Sequence, residues 1–386
     1  MQRVAFFHKA MQLNKLSLIN FKNIAEAEIV FSLGVNALVG SNGAGKTNVI
    51  DAIHFLAMSK SMSSLTDRQS VRHDEPFFVV DGSFTTDAQG TETVVCSFSR
   101  QSGKGVKSLK RNGKEYDKLS DHVGRIPVVV VSPQDSSLVY DSAEERRRFM
   151  NSFISQFDKL YLAALIRYNA TLAQRNKTLK SHLDVSMLDI YDAQLSDAAK
   201  VIHARRKEIT AKLQPLVEHY YKLISGDSEA VSLEHSSQLD GGDFCELLMQ
   251  ARTKDIANEH TTVGAHRDDF VFKIGEHPLR KYGSQGQQKS FLIALKLAQY
   301  KIVSDMRGER PILLLDDLFD KLDPSRVGAL IAIVSSAEFG QIFITDCNTE
   351  HLTSILERSQ SPYSLFEVVA GVVSQTTREE VRHAQD

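Results

Sequence analysis

Hydrophobic positions change their spacing twice along this chain. From Leu13 to about Val131 they fall in short runs: Leu13 to Phe31 alternates in strand-like pieces, Asn36-Ala37-Leu38-Val39 is a brief apolar strand that runs into a glycine-rich turn, and Thr47 to Met58 has helical spacing. Strand-like runs recur at Phe77–Val80, Thr93–Phe98 and Pro127–Val131, and Asn112-Gly113 reads as the turn of a hairpin. From about Ser142 to Gly226 the period lengthens. Phe149, Phe153, Phe157, Tyr161, Leu165, Tyr168 and Leu172 recur at helical steps, and Leu188, Tyr191, Leu195, Ala198, Ile202, Ile209, Leu213 and Leu216 do so again. This predicts two antiparallel helices joined near Ser181–Asp184, each on the order of 50 Å long, with Pro215 kinking or interrupting the second. After about Gly241 strand and helix alternate once more, with strands at Phe270–Ile274, Pro311–Leu315 and Gln341–Thr345, a helix at Gly286–Ile302, and a polar, frayed tail from Gln375 to Asp386.

The expected layout is therefore an α/β unit split by a helical arm: residues 1–140 and 246–386 form the α/β head and 141–245 the insertion. Composition excludes several other classes. With 42% hydrophobic and 24% charged residues among 386, the chain has material for a real core. A formal net charge of −2 means that any nucleic-acid surface must be a local patch. Cys96, Cys245 and Cys347 are odd in number and widely spaced, which argues against a disulfide framework or zinc site and for a reduced, cytoplasmic setting. No apolar run approaches the roughly 18–20 residues that span a bilayer, and Met1 to Ala10 lack the apolar stretch of a secretory signal.

Two segments carry phosphate chemistry. Gly40-Ser41-Asn42-Gly43-Ala44-Gly45-Lys46-Thr47 fits GxxxxGK[ST] between a strand and a helix. Its glycines let backbone N–H groups turn inward around phosphates, Lys46 reaches the β- and γ-phosphates of ATP, and the Thr47 hydroxyl can ligate Mg²⁺. Ile312-Leu313-Leu314-Leu315-Asp316-Asp317 is an apolar strand ending in two carboxylates. Alone it reads as a strand leaving the core. Paired with the phosphate loop, Asp316 becomes the second Mg²⁺ ligand and Asp317 the residue that orients or deprotonates the attacking water. Asp320 and Asp323 follow, as a helix-terminal acidic cluster or with a direct role.

A third segment, Gly283-Ser284-Gln285-Gly286-Gln287-Gln288, resembles the signature motif of ABC ATPases. There the motif acts in trans, so that Ser284, Gly286 and Gln287 would meet the triphosphate held by Lys46 of a second molecule, and ATP would drive homodimerisation. The alternative reading is a polar helix cap. With Met11–Asn23, Asn48, Asp51-Ala52-Ile53, Arg146-Arg147-Arg148-Phe149, Tyr168–Asn176 and Val263-Gly264-Ala265-His266-Arg267-Asp268-Asp269, the chain resembles the RecF family of ABC/SMC-type ATPases over nearly its whole length, from about Met11 to about Ile355. Residues 1–10 precede the usual family start, so Met11 is a second candidate initiator.

That resemblance implies a weak, DNA-dependent ATPase that binds duplex or gapped DNA, dimerises with ATP, and acts with RecR and RecO in loading RecA during gap repair and the DNA damage response. It also makes Gln134, in Ser132-Pro133-Gln134-Asp135, the candidate for a loop linking nucleotide to the arm; a polar turn after a strand is the other reading. Two positions depart from the wider superfamily: Asp317 stands where Glu is usual, which agrees with slow turnover, and Thr345-Asp346-Cys347 has no switch histidine. DNA contact is expected from two basic stretches. One is the hairpin with Lys104, Lys107, Lys110, Arg111 and Lys114; the other is the arm with Arg146, Arg147, Arg148, Arg167, Arg175, Lys177, Lys180, Arg205, Arg206 and Lys207. A transporter nucleotide-binding subunit would need a membrane partner, an SMC structural ATPase far longer coiled coils, and a nuclease-coupled ATPase a further metal cluster.

Overall fold

The computed structural model describes residues 9–63, 65–86, 90–100, 103, 105–181, 186–226, 229–318, 322–359 and 362–378. They form two compact units, one from the residues up to Asp135 together with those from Gln299 onward, the other Ser136–Ala298. The sequence pattern drew its second boundary at 245/246. Packing draws it later, because the strands Val231–Ser236 and Asp269–Ile274 pair antiparallel with each other and a cut at 245 would divide their sheet.

The first unit holds a six-stranded sheet in the order Val372–Arg378, Tyr363–Val369, Val35–Val39, Ile342–Asp346, Ile312–Leu315, Val128–Val131. All neighbours run parallel except the first pair. Sequences such as ILLL and VVVV suit strands covered on both faces, where no alternation is required. The segments that follow Val39, Asp346, Leu315 and Val131 therefore emerge at one edge, the usual place for a ligand in such a sheet.

A second, mainly antiparallel sheet is built around Lys9–Phe21, which pairs with Ile24–Val30 and Phe77–Thr86, and continues through Gly90–Ser99, Val106–Arg111 and Lys114–Glu115. The register of Lys9–Phe21 shifts between Leu13 and Lys15. That bulge moves the buried positions from Met11 and Leu13 to Leu16 and Leu18, which explains why a simple alternation does not run through the strand. Helix Lys46–Met58 packs against strands of both sheets, and nine of its 13 residues are buried. Phe21, Phe55 and Phe78 meet edge to face beneath it, with centroids 5.3–5.7 Å apart. The expected frayed tail is partly strand, since Val372–Arg378 completes the sheet; 379–386 lie outside the described residues.

In the second unit the first long helix divides. Ala143–Ser155 ends, and Lys159–Ser181 begins with the Asp158 carboxylate accepting the Tyr161 N–H at 2.9 Å. Asp158 is a helix cap placed inside an unbroken hydrophobic period, so the aromatic spacing continues while the backbone turns. The helix after it is about 35 Å long rather than 50. Met187–Ser225 runs through Pro215 without interruption, about 58 Å. The expected joint near Ser181–Asp184 falls largely outside the described residues, which omit 182–185.

Candidate nucleotide site

At the carboxyl edge of the parallel sheet the phosphate loop leaves Val39 and opens helix Lys46–Met58. Gly40 has φ 150°, and a Cβ there would lie 2.2 Å from the Val368 carbonyl oxygen, so no side chain fits. At Gly45, φ 122°, a Cβ would lie 2.9 Å from Asn23 Oδ1. Asn23 itself braces the loop, donating to the Ala44 carbonyl at 3.1 Å and accepting from Asn48 Nδ2 at 2.7 Å. Lys22 beside it pairs with the buried Asp51 at 2.6 Å, and Asp51 also accepts from Ser61 and the Met62 N–H. The loop is thus fixed from two sides by residues of the turn between the first two strands.

Within it, Lys46 Nζ donates to the carbonyls of Gly40 and Ser41 at 2.6 and 2.9 Å, which holds the ammonium across the loop's hollow. Thr47 Oγ1 donates to Asp316 Oδ1 at 2.9 Å across 269 residues of sequence. Asp316 also accepts from Thr345 Oγ1 at 2.8 Å, and Thr345 Oγ1 accepts the Asp317 N–H at 2.9 Å. Burial pushes the Asp316 carboxyl upward, opposed by the hydrogen bonds from Thr345 and Thr47. Asp317, at φ 49°, leaves the strand in a left-handed turn beside the site.

These residues fit a nucleotide and its magnesium: a backbone cradle, one lysine, and a hydroxyl–carboxylate pair within hydrogen-bond distance of each other. Mg²⁺ takes few protein ligands when phosphates and water supply the rest, so Thr47 and Asp316 are a sufficient protein contribution. Gln134 is exposed on a short 3₁₀ turn after Val128–Val131, the strand next to the one ending at Asp316. Asp323 caps helix Pro324–Val334 through the Arg326 N–H at 3.0 Å, and Asp320 lies outside the described residues. Asn23 and Thr345 were missed as site residues by sequence spacing; Asn23 appears there only as part of the family's N-terminal string.

In the other unit, Ser284 and Gln287 form a reciprocal cap at the start of helix Gln285–Arg307: Ser284 Oγ accepts the Gln287 N–H at 3.3 Å, and Ser284 N–H donates to Gln287 Oε1 at 2.6 Å. Ser284 is exposed and Gly286 half-buried, so the helix start is accessible.

The basic stretches require correction. Arg175 is wholly buried between Asp192 and Asp255, each at 2.7 Å. Arg206 is buried on Asp268 at 2.6 Å, and Arg146 forms a two-pronged pair with Asp269 at 2.7 and 3.1 Å. Arg148, Arg167, Arg205 and Lys207 also pair with carboxylates. In the hairpin Lys107 pairs with Asp67 and Arg111 with Glu92, while Lys104 lies outside the described residues. Of the expected DNA contacts, Lys110, Lys114, Arg147, Lys177 and Lys180 form no ion pair among the described residues. The segment Val263–Asp269 accounts for much of this pairing, because it supplies Asp268 and Asp269 as partners for arm arginines.

A parallel sheet with a phosphate loop, an acidic strand end and a helical insertion defines the class, a P-loop ATPase head of the ABC/SMC type. The RecF/RecN/SMC N-terminal domain family matches residues 12–373. The chain belongs to the RecF family: it is 45% identical over 362 residues to the DNA replication and repair protein RecF of Flavobacterium johnsoniae, covering 92% of this chain and 99% of that protein. RecF of Phocaeicola vulgatus is 42% identical over 368 residues, 95% and 98% of the two chains. A solved structure of the recombination mediator protein RecF-ATP in the RecFOR pathway superposes with a TM-score of 0.86 at 26% identity, covering 98% of this chain and all of that one.

Proposed function

We propose that this chain is an ATP-driven switch of DNA repair, in which nucleotide held by one head is met by the signature helix of a second copy. The observation that carries this reading is the Thr47–Asp316 hydrogen bond, 2.9 Å long, which joins the phosphate loop to the acidic strand end. Lys46 would hold the terminal phosphates, aided by the backbone amides from Gly40 to Thr47, including those of Ser41, Asn42, Gly43, Ala44 and Gly45. Thr47 and Asp316 would hold Mg²⁺, which supplies charge neutralisation when bound. Asp317 would accept the proton of attacking water. Its side chain is one methylene shorter than the usual glutamate, which accords with slow, DNA-dependent turnover. Ser284, Gly286 and Gln287 would bind the partner copy's triphosphate; their present cap leaves the Ser284 hydroxyl proton uncommitted among the described residues. Gln134 would report the nucleotide state from the neighbouring strand to the arm.

The finer reading follows the family: a cytoplasmic recombination mediator acting on duplex and gapped DNA with RecR and RecO to help load RecA. DNA contact is by backbone and shape, through the unpaired lysines rather than the arm's full arginine set. Light scattering with ATP and Mg²⁺, with and without gapped DNA, tests the switch. Wild type dimerises only with ATP, and both Lys46→Met and Ser284→Arg stay monomeric. A wild-type chain that binds ATP yet remains monomeric on DNA overturns it.

A further inference from the structure

A cavity of about 320 Å³ lies within the second unit and is lined wholly by its residues. Its walls come from helices Ala143–Ser155, Lys159–Ser181 and Met187–Ser225 and from the Ala265–His266 turn. Arg147, Arg206, Asn151, Asn169 and His266 line it, together with Glu144 and Arg148.

The cations that line this cavity differ in how closely they are paired. Arg206 is matched by Asp268, and Arg148, which also lines the cavity, pairs with both Glu144 at 2.5 Å and Glu145 at 2.7 Å. Arg147 has no ion pair among the described residues; its one hydrogen bond runs from Nη1 to the Asp268 carbonyl at 2.8 Å. Its guanidinium is pushed below the ordinary value by burial and then by the neighbouring Arg206 charge, while Glu144, Asp269 and Asp268 act the other way. The remaining wall is rich in donors. Asn151 Oδ1 already accepts from Tyr161 OH at 2.6 Å and Arg206 Nη2 at 2.9 Å, which leaves its amide N–H groups to donate. His266 is committed on both sides, near Tyr168 OH at 2.8 Å and the Thr261 carbonyl at 3.0 Å, so it shapes the wall without adding charge.

We propose that this cavity binds a phosphate group, held by the Arg147 fork with Asn151 and Asn169 as further donors. A planar guanidinium that commits only Nη1, to the Asp268 carbonyl, keeps the Nε–Nη2 side for two oxygens of one oxyanion. The volume, at the small end of ligand sites, admits a phosphomonoester with a sugar-sized appendage but not a duplex lying along its backbone. The shared chemistry has two sources, a free phosphorylated small molecule or the terminal phosphate of a nucleic-acid strand.

The test is calorimetry on the full chain carrying Lys46→Met, so that the phosphate loop does not dominate. Inorganic phosphate binds this background, and adding Arg147→Gln weakens it roughly tenfold, as loss of a charge-assisted hydrogen bond requires. Asn169→Asp, which leaves the Arg147–Asp268 bond untouched, weakens it as well through like charge, and circular dichroism confirms that both variants fold. Ribose 5-phosphate and a short oligothymidylate, with and without its terminal phosphate, separate the sources: tighter binding by the phosphorylated oligonucleotide alone assigns a strand end, and equal or tighter binding by the sugar phosphate assigns a small molecule. No phosphate binding to the Lys46→Met chain, or folded Arg147→Gln and Asn169→Asp chains that bind as tightly as their background, overturns the proposal.

Discussion

Thr345 Oγ1 donates to Asp316 Oδ1 at 2.8 Å and accepts the Asp317 N–H at 2.9 Å, so one hydroxyl holds the Asp316 carboxylate and the Asp317 backbone at the acidic strand end. Thr345 is the penultimate residue of the neighbouring strand Ile342–Asp346, and the parallel pairing of Leu315 with Ile344 brings it into reach. Thr345→Val keeps the shape and removes the donor. Asp316, already raised by burial, then loses one of the two hydroxyls that hold it ionised. Affinity for ATP with Mg²⁺ falls roughly tenfold, while affinity for ATP in EDTA changes little. Fluorescent-nucleotide titration with and without the metal measures the difference, and an equal loss in both conditions would contradict the assignment.

Arg175 tests how the arm is held together. Its guanidinium joins helix Lys159–Ser181 to Asp192 on one neighbour and Asp255 on another, and it is fully buried. Arg175→Leu leaves the buried Asp255 without its cation, while Asp192 keeps Arg252 at 2.7 Å, at a cost of about 3–5 kcal/mol. Urea unfolding should show that loss. The same substitution at Arg167, an exposed pair with Asp197, should shift stability by under about 1 kcal/mol.

What sequence revealed here divides by range. The phosphate loop is contiguous, so its eight residues carry both chemistry and context. Asp316 became legible only beside that loop, since an apolar strand ending in Asp-Asp has no meaning of its own. Asn23 and Thr345 were silent because their partners are set by strand order, not spacing. The arginine-rich arm misled for a related reason: composition counts cations, but Asp192 and Asp255 lie 17 and 80 residues from Arg175. The break at Asp158 was hidden because a capping turn preserved the hydrophobic period.

Acid should loosen the arm through His266. Burial pushes this imidazole down from 6.5 to about 4. Above pH 6.5 both folded and unfolded states are neutral there, and its contribution is fully present. As pH falls from 6.5 toward 4 the unfolded chain takes up a proton that the folded one refuses, so stability declines across that window and levels off below it. Urea midpoints measured from pH 7.5 to 4.5 should fall less steeply for His266→Gln than for wild type, whatever the variant's starting stability.

Salt dependence separates the lysines that can meet DNA from the arginines that cannot. Each phosphate neutralised releases condensed counterions, so the slope of log affinity against log salt counts contacts. Lys110 and Lys114 are exposed at the hairpin and Lys177 and Lys180 on the arm, with no carboxylate partner among the described residues. Arg205 and Lys207 are already neutralised by Asp158 and Asp240. Alanine at a lysine that touches DNA should weaken duplex binding about equally across sequences and flatten the slope by about 1. Alanine at Arg205 or Lys207 should leave the slope unchanged, because the charge was never available to a phosphate. Fluorescence anisotropy over a salt series, with ATP fixed, gives both quantities at once. If Arg205→Ala flattened the slope as much as Lys110→Ala, the internal pairs would have to open on DNA, and the arm would be a basic surface after all.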